Sequence, residues 1–237
     1  MQATSTAVHV VGSVAVLVLV DYEPGLRLWG WLRLVLQGLP LRQVPGLRFA
    51  KVLGSGAGGG FGVKPSGTHQ GLFLIFDDEQ AAREFADHSP ILEAYRARAR
   101  ELCVAVLRAT ASRGSWSGKA MAVTAQAAPG APVAALTRAS IRPRHALAFW
   151  RLSPSAEVAL GQAPGCQLAA GLGEAPLLRQ ATFSLWSDTA AMDAYARSGA
   201  HQDAIRAAYG GGYFSETMFV RFAVLQLRGR WQGRAHG

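Results

Sequence analysis

Apolar and polar positions along the chain fall into two kinds of run, and the same order of runs occurs twice. Residues 8–20 are charge-free and Val-rich, broken only by His9, Gly12 and Ser13, and read as a buried strand. Residues 26–38 carry Trp29 and Trp31 on an aromatic helical face. A Pro-Gly turn at Pro45-Gly46 leads to a second strand over 47–53, and an alternating run predicts a third over 71–76. Asp78 then stands where a helix N-cap should stand, ahead of a helical region interrupted by Pro90. A last strand spans 102–111. The second round gives a strand over 133–141, a helix over 144–160 with Phe149 and Trp150, and strands over 166–172 and 178–186. Asp188 caps a helix interrupted near Gly199, and the closing strand runs over 217–228.

Residue matches between the rounds make this a duplication. Leu72 to Asp78 is echoed by Thr182 to Asp188 at a displacement of 110. Arg113, Gly114, Trp116, Gly118 and Lys119 return as Arg228, Gly229, Trp231, Gly233 and Arg234, and Pro45-Gly46 as Pro164-Gly165. Collinear landmarks of this kind mark two copies of one module. Strand-helix-strand-strand-helix-strand is the ferredoxin-like order, a four-stranded antiparallel sheet with two helices on one face. The expected fold is therefore α+β: two tandem ferredoxin-like repeats, 1–120 and 133–237, joined by a linker over 121–132. Their open sheet faces pack together as an intrachain barrel of the dimeric α/β type.

Composition narrows the class. With 237 residues, 50% hydrophobic and 16% charged, the chain has ample material for a core and is neither disordered nor coiled-coil. The net charge of +9 divides evenly between the halves, unlike the concentrated arm of a nucleic-acid binder, so no nucleic-acid partner is expected. Two cysteines, Cys103 and Cys166, are too few for a disulfide framework, and a cytoplasmic protein is expected. Residues 8–20 are too short for a bilayer span, which needs ~20 apolar residues.

Chemical motifs are sparse. Gly54 to Gly59 satisfies G-x-G-x-x-G, but no helix starts at its third glycine, so a loop over a ligand pocket is the better reading, with Gly56 and Gly58 allowing close approach. The histidines His9, His69, His88, His145, His201 and His236 show no zinc spacing, and neither a hydrolase elbow nor a catalytic cysteine motif occurs. Asp77, Asp78 and Glu79 fit helix capping. His201 shares a helical face with Ile205, Ala208 and Tyr209. On spacing alone it reads more simply as a helix-start histidine bonded to backbone than as a metal ligand. The aromatics Trp29, Trp31, Phe149, Trp150 and Trp186 read as core, or equally as walls for a flat or polyene ligand.

The stretches from Phe183 to Trp186, Ala190 to Arg197, Ala200 to Arg206 and Phe214 to Phe222 resemble the spheroidene monooxygenase family of carotenoid biosynthesis. So do residues 134–139, Phe149-Trp150, the loop 53–61 with Lys64-Pro65, and the closing Gly229-x-Trp231-x-Gly233-Arg234; residues 66–71 depart from the pattern. The resemblance implies a haem-dependent monooxygenase that carries haem b and iron. It implies O₂ as oxidant, an electron donor such as reduced ferredoxin, and two hydroxylations at C-2 of an acyclic carotenoid to give the 2-oxo product. It implies His201 as iron ligand, with His88 and His145 as the next candidates, and Arg138, Arg197 and Arg221 directed at the propionates. It also implies a substrate pocket at Gly56, Gly58, Phe61, Phe149, Trp150 and Trp186, and peripheral contact with the inner, photosynthetic membrane. A haem or apolar-ligand carrier, and a cofactor-free barrel monooxygenase acting on another apolar substrate, stay open as alternatives.

Overall fold

The computed structural model describes residues 8–62, 64–175, 177–197, 199, 202, 206 and 210–237. The single strand expected over 8–20 is two, β1 (His9–Val11) and β2 (Val14–Tyr22). Gly12 causes the break: it lies so close to the Phe76 carbonyl that no Cβ fits. In the first half β2, β3 (Leu47–Gly56), β4 (Pro65–Phe76) and β5 (Ala99–Gly114) pair antiparallel in the order β5-β2-β4-β3. A short β6 (Lys119–Met121) pairs with β1 in parallel.

The second half repeats the sheet with β7 (Val133–Ile141), β8 (Cys166–Ala175), β9 (Arg179–Trp186) and β10 (Phe214–Trp231), in the order β10-β7-β9-β8. β11 (Arg234–His236) adds to the end of β10. Two seams close the eight main strands into a barrel. The β5–β10 seam is long, running from Met218 opposite Gly114 to Gly229 opposite Cys103, whereas β3–β8 is registered only at Gly54 opposite Gly173. The chain between Met121 and Val133 forms neither helix nor strand.

Two-sided burial explains the sequence of β2. Ala15, Leu17 and Leu19 face the barrel interior and meet Phe73, Leu107, Leu136, Phe183 and Phe222 from both halves. An eight-stranded barrel is just wide enough for side chains to fill it, and each buried Leu or Phe contributes about 1.5–3 kcal/mol. The interleaved Val14, Val16, Val18 and Val20 face outward, beneath helices α1 (Arg27–Leu36), α2 (Gly38–Leu41), α3 (Glu79–His88) and α4 (Pro90–Arg96). On the second half α5 (Ala146–Gly161) and α6 (Thr189–Ala196) take those places. The caps are as the sequence predicts: Asp78 accepts from the Ala81 amide at 2.9 Å and Asp188 from the Ala191 amide at 2.8 Å. Pro90 begins α4, with Ser89 capping it, rather than merely breaking α3.

The two Trp-bearing repeats at 113–119 and 228–234 plug opposite ends of the barrel. Trp116 stacks on Phe73 at 5.5 Å, and Trp231 meets His69 edge-on at 5.5 Å. Equivalent backbone amides follow each Trp: Gly118 donates to Glu216 at 3.0 Å, and Gly233 to Glu101 at 2.8 Å.

Candidate functional site

Register between the halves locates the site. Val14 lies opposite Phe76 as Val133 lies opposite Trp186, which makes each outward residue of one sheet comparable with its counterpart in the other. Val16, Val18 and Val20 of β2 correspond to Ala135, Thr137 and Ala139 of β7. Leu72 and Leu74 of β4 correspond to Thr182 and Ser184 of β9, and Val52 of β3 to Gly171 of β8. The β2 and β4 residues are at most 1% exposed, whereas Thr137 is exposed to solvent on the face that α5 and α6 should cover. Branched apolar side chains have been replaced by small or hydroxylated ones across one sheet face. Ala135, Ala139, Gly171 and Ser184 stay buried, whereas exposed Thr137 and half-buried Thr182 mark the part of the face that is least covered.

Packing is retained at one end of this face. Val133, Ala135, Trp186, Leu160 of α5 and Met192 of α6 form an apolar cluster there. Trp186 donates its ring N–H to Ser184 at 2.9 Å and lies 5.3 Å from the Tyr195 ring, whose burial pushes the phenol up to about 12. Toward the other end, Phe149 of α5 meets Phe214 edge-on at 5.9 Å, and Trp150 donates to the Leu177 carbonyl at 2.8 Å.

The Gly-rich loop of the first half reaches this second-half face. It makes a single 3-10 turn, Ala57–Gly59, rather than opening a helix. The Gly60–Phe61 backbone lies directly on Gly171, where a Cβ would come within 2.3 Å of the Gly60 oxygen. Phe61 packs beside the Trp186 cluster, and its amide donates to Glu157 of α5 at 3.0 Å. Gly58 has left-handed φ of +66°, and Gly56 has no room for a side chain against Gly60. The structure thus brings Phe61 and Trp186 to the same cluster, and sets Phe149 and Trp150 farther along α5.

The arginines separate. Arg221 extends from the same face to Asp193 of α6 at 2.6 Å, and Arg197 stands in solvent 4.0 Å from that carboxylate. Arg138 requires a correction. It follows Thr137 on β7 and therefore points the opposite way, into the barrel end, where it is 2% exposed. Glu216 and Glu174 take its charge, the latter at 3.2 Å, and it stacks over Trp116 at 5.5 Å. With both carboxylates engaged inside the barrel, Arg138 is a structural cation and not a propionate anchor.

Among the histidines, His88 is exposed at the end of α3, over a first-half layer that is already filled. His145 stacks on Tyr213 at 4.7 Å, with the Arg144 guanidinium 3.0 Å from its Nε2. His201 lies outside the described residues. Cys103 sits in the barrel core, where burial pushes its thiol up to about 12, so it stays protonated and unreactive. Residues that sequence reasoning missed are Thr137, Thr182, Gly171 and Glu157. The first three were accessible by aligning the two repeats position by position.

No family model matches the chain. The spheroidene monooxygenase of Rubrivivax gelatinosus is 53% identical over 226 residues, covering 95% of this chain and 88% of that protein. The spheroidene monooxygenase of Rhodobacter capsulatus is 38% identical over 210 residues, 87% of each. The crystal structure of aldoxime dehydratase shares the fold with a TM-score of 0.57 at 10% identity, covering 89% of this chain and 80% of that one. On identity of this extent over nearly its whole length, the chain belongs to the spheroidene monooxygenase family.

Proposed function

We propose that the protein is a haem-dependent monooxygenase acting on an acyclic carotenoid of the spheroidene type. Family membership supports the monooxygenase and its substrate class. The observation that carries the haem is the thinned face of the second sheet, where Thr137, Ala139 and Thr182 stand in place of Val and Leu. A flat macrocycle needs a broad face without projecting side chains, and the residues present fit that need. His201, in the sequence between α6 and β10, is the residue we assign to hold the iron, which it would do through a neutral imidazole nitrogen. Haem, when bound, supplies the O₂ and redox chemistry; the chain supplies its ligand, its walls and the exclusion of water.

The chain's own residues have definable tasks. Arg221, oriented by Asp193, offers its positive charge at the edge of the face to an anionic group. Phe61 and Phe149, both half-buried, provide apolar surface for a polyene, with Trp186 packed behind Phe61. The loop from Ala57 to Gly62 lies across one end and excludes solvent from it. Each hydroxylation at C-2 consumes one O₂, two protons from solvent and two electrons from a donor such as reduced ferredoxin, and releases one water as C–H becomes C–OH. Two rounds give a geminal diol, which loses water to leave the 2-oxo group.

The test is optical and catalytic. Protein purified from cells supplied with haem precursor is expected to show a Soret band and to convert spheroidene with O₂ and reduced ferredoxin. His201→Ala should lose or shift that band while far-UV circular dichroism is unchanged. A colourless wild type that still turns over spheroidene would establish the cofactor-free reading. Unaltered absorbance in the variant would remove His201 as the ligand.

A further inference from the structure

Helices α1 and α2 are apolar on two opposite sides, and only one side has a partner. The inward side is firmly seated. Trp29 meets Tyr22 edge-on at 5.4 Å, Gly30 passes close over the Tyr22 ring, and its carbonyl accepts from Gln70 at 2.7 Å. The outward side carries Leu28 (71% exposed), Trp31 (60%), Leu32 (41%), Val35 (60%), Leu36 (51%) and Leu39 (61%). Their spacing of i, i+3, i+4, i+7, i+8 and i+11 is one continuous helical stripe. A contiguous apolar patch of this kind on a protein surface marks an interaction site.

The charge around the stripe identifies its partner. From Glu23 to Asp77 the sequence has no acidic residue and six basic ones: Arg27, Arg33, Arg42, Arg48, Lys51 and Lys64. Even division of charge between the two halves conceals this concentration. Arg48 is held by Asp77, Lys51 by Glu174, and Arg33 lies over Trp29 and donates to Gln37, but among the described residues Arg27 and Arg42 have no carboxylate within ion-pair distance. A second copy of the chain docking by a two-fold would set these arginines against one another with no acid between them. An anionic bilayer satisfies both features, because its acyl region takes Leu and Val, its interface takes Trp, and its headgroups take Arg. No described helix is long and apolar enough to cross a membrane, so the contact is with one surface.

We propose that the α1–α2 stripe is a membrane-docking surface that inserts its apolar residues into the interface of an anionic bilayer. Its place in the fold gives the contact a purpose. α1 and α2 rest on β3 and β4, and α5 rests on β8, so they border the β3–β8 seam that the loop from Ala57 to Gly62 overlies. The docked side is thus the side from which a lipid-dissolved molecule would reach the thinned face. The proposal stands on the α1–α2 surface and not on haem binding, so vesicle binding and the optical spectrum can fail independently.

Cosedimentation with vesicles tests it. The full chain is expected to pellet with phosphatidylcholine vesicles containing phosphatidylglycerol, more weakly with pure phosphatidylcholine, and less as salt rises. Leu32→Glu/Leu36→Glu should retain the melting temperature, because these side chains face solvent, and should bind at least ~tenfold more weakly. Arg27→Glu/Arg42→Glu keeps the stripe and should lose the preference for phosphatidylglycerol. Equal vesicle binding by wild type and the leucine variant overturns the proposal. So does a wild type that ignores vesicles but forms a dimer which the leucine variant splits, an outcome that assigns the stripe to a second copy.

Discussion

Arg138 shows how much can depend on which face of one strand a side chain takes. Its guanidinium is shared by Glu174 and Glu216 in the barrel end. Burial opposes the charge on Glu174, but hydrogen bonds from Lys51 and Trp116, and the charges of Lys51 and Arg138, outweigh it and hold the carboxyl below its usual value of 4.5. Glu216 is likewise lowered against its burial, by the amides of Gly118 and Ser117, the Ser115 hydroxyl and Arg138. A carboxyl with a lower pKa folded than unfolded stabilises the fold fully above the unfolded value. That contribution is lost as pH falls through the depressed folded value. Arg138→Met leaves two partly buried carboxylates short of a cation. It should cost about 3 kcal/mol or more in urea unfolding at neutral pH, and it should move the midpoint of acid unfolding upward. Haem absorbance per folded molecule should stay as in wild type. An unchanged acid midpoint would mean that Lys51 and the amides suffice, and a lost Soret band would return Arg138 to the cofactor.

At the scale of elements, the contact between the Gly-rich loop and β8 makes a sharp contrast of two glycines. A side chain at Gly171 would meet the Gly60–Phe61 backbone, which cannot yield without moving the loop, whereas Gly58 faces open space and only its positive φ resists substitution. Gly58→Ala should therefore cost about 1–2 kcal/mol of stability and leave turnover largely intact. Gly171→Val should displace the loop, increase protease cleavage between residues 57 and 62, and lower turnover far more than melting. Similar activities in the two variants would show that the loop's seat on β8 is unimportant. The sequence made the elements legible because repeat, caps and turns agreed: Gly46 and Gly165 both adopt the left-handed φ that the Pro-Gly turn demands. It did not reveal β1, β6 and β11, three-residue strands too short to carry an alternating pattern. Nor could it orient Arg138. Residues 133–136 are apolar on both faces, so parity along β7 does not say which side is the barrel interior. The site face was hidden for a related reason, since small residues announce themselves only against the larger ones at the same register in the other half.

The whole molecule is one barrel core with two unequal outer layers. The first half keeps a filled layer under α1 to α4, ending in the Tyr22, Trp29 and Tyr95 rings at 5.4 to 6.2 Å from one another. The second half carries smaller side chains on the equivalent face, so with the proposed site there, stability and binding are divided between copies of one module. Loss of side-chain volume at a functional face is a familiar cost of function, and here the lost residues can be read off the other half. Thr137 and Thr182 are direct cross-strand partners, as are Val18 and Leu72. Thr137→Val/Thr182→Leu restores the first-half pair within the second-half face. Without haem, this variant should melt higher by roughly 2–4 °C, as expected for ~1 kcal/mol in a chain of this size. It should also take up less haem, with a weaker Soret band at equal protein concentration. The mirror variant, Val18→Thr/Leu72→Thr, hollows a layer that has no other occupant. It should lose about 2–5 kcal/mol and gain no pigment. If the second-half variant instead melts lower and binds haem as wild type does, its threonines are packed and hydrogen-bonded where they stand, and the thinned face is not the binding site.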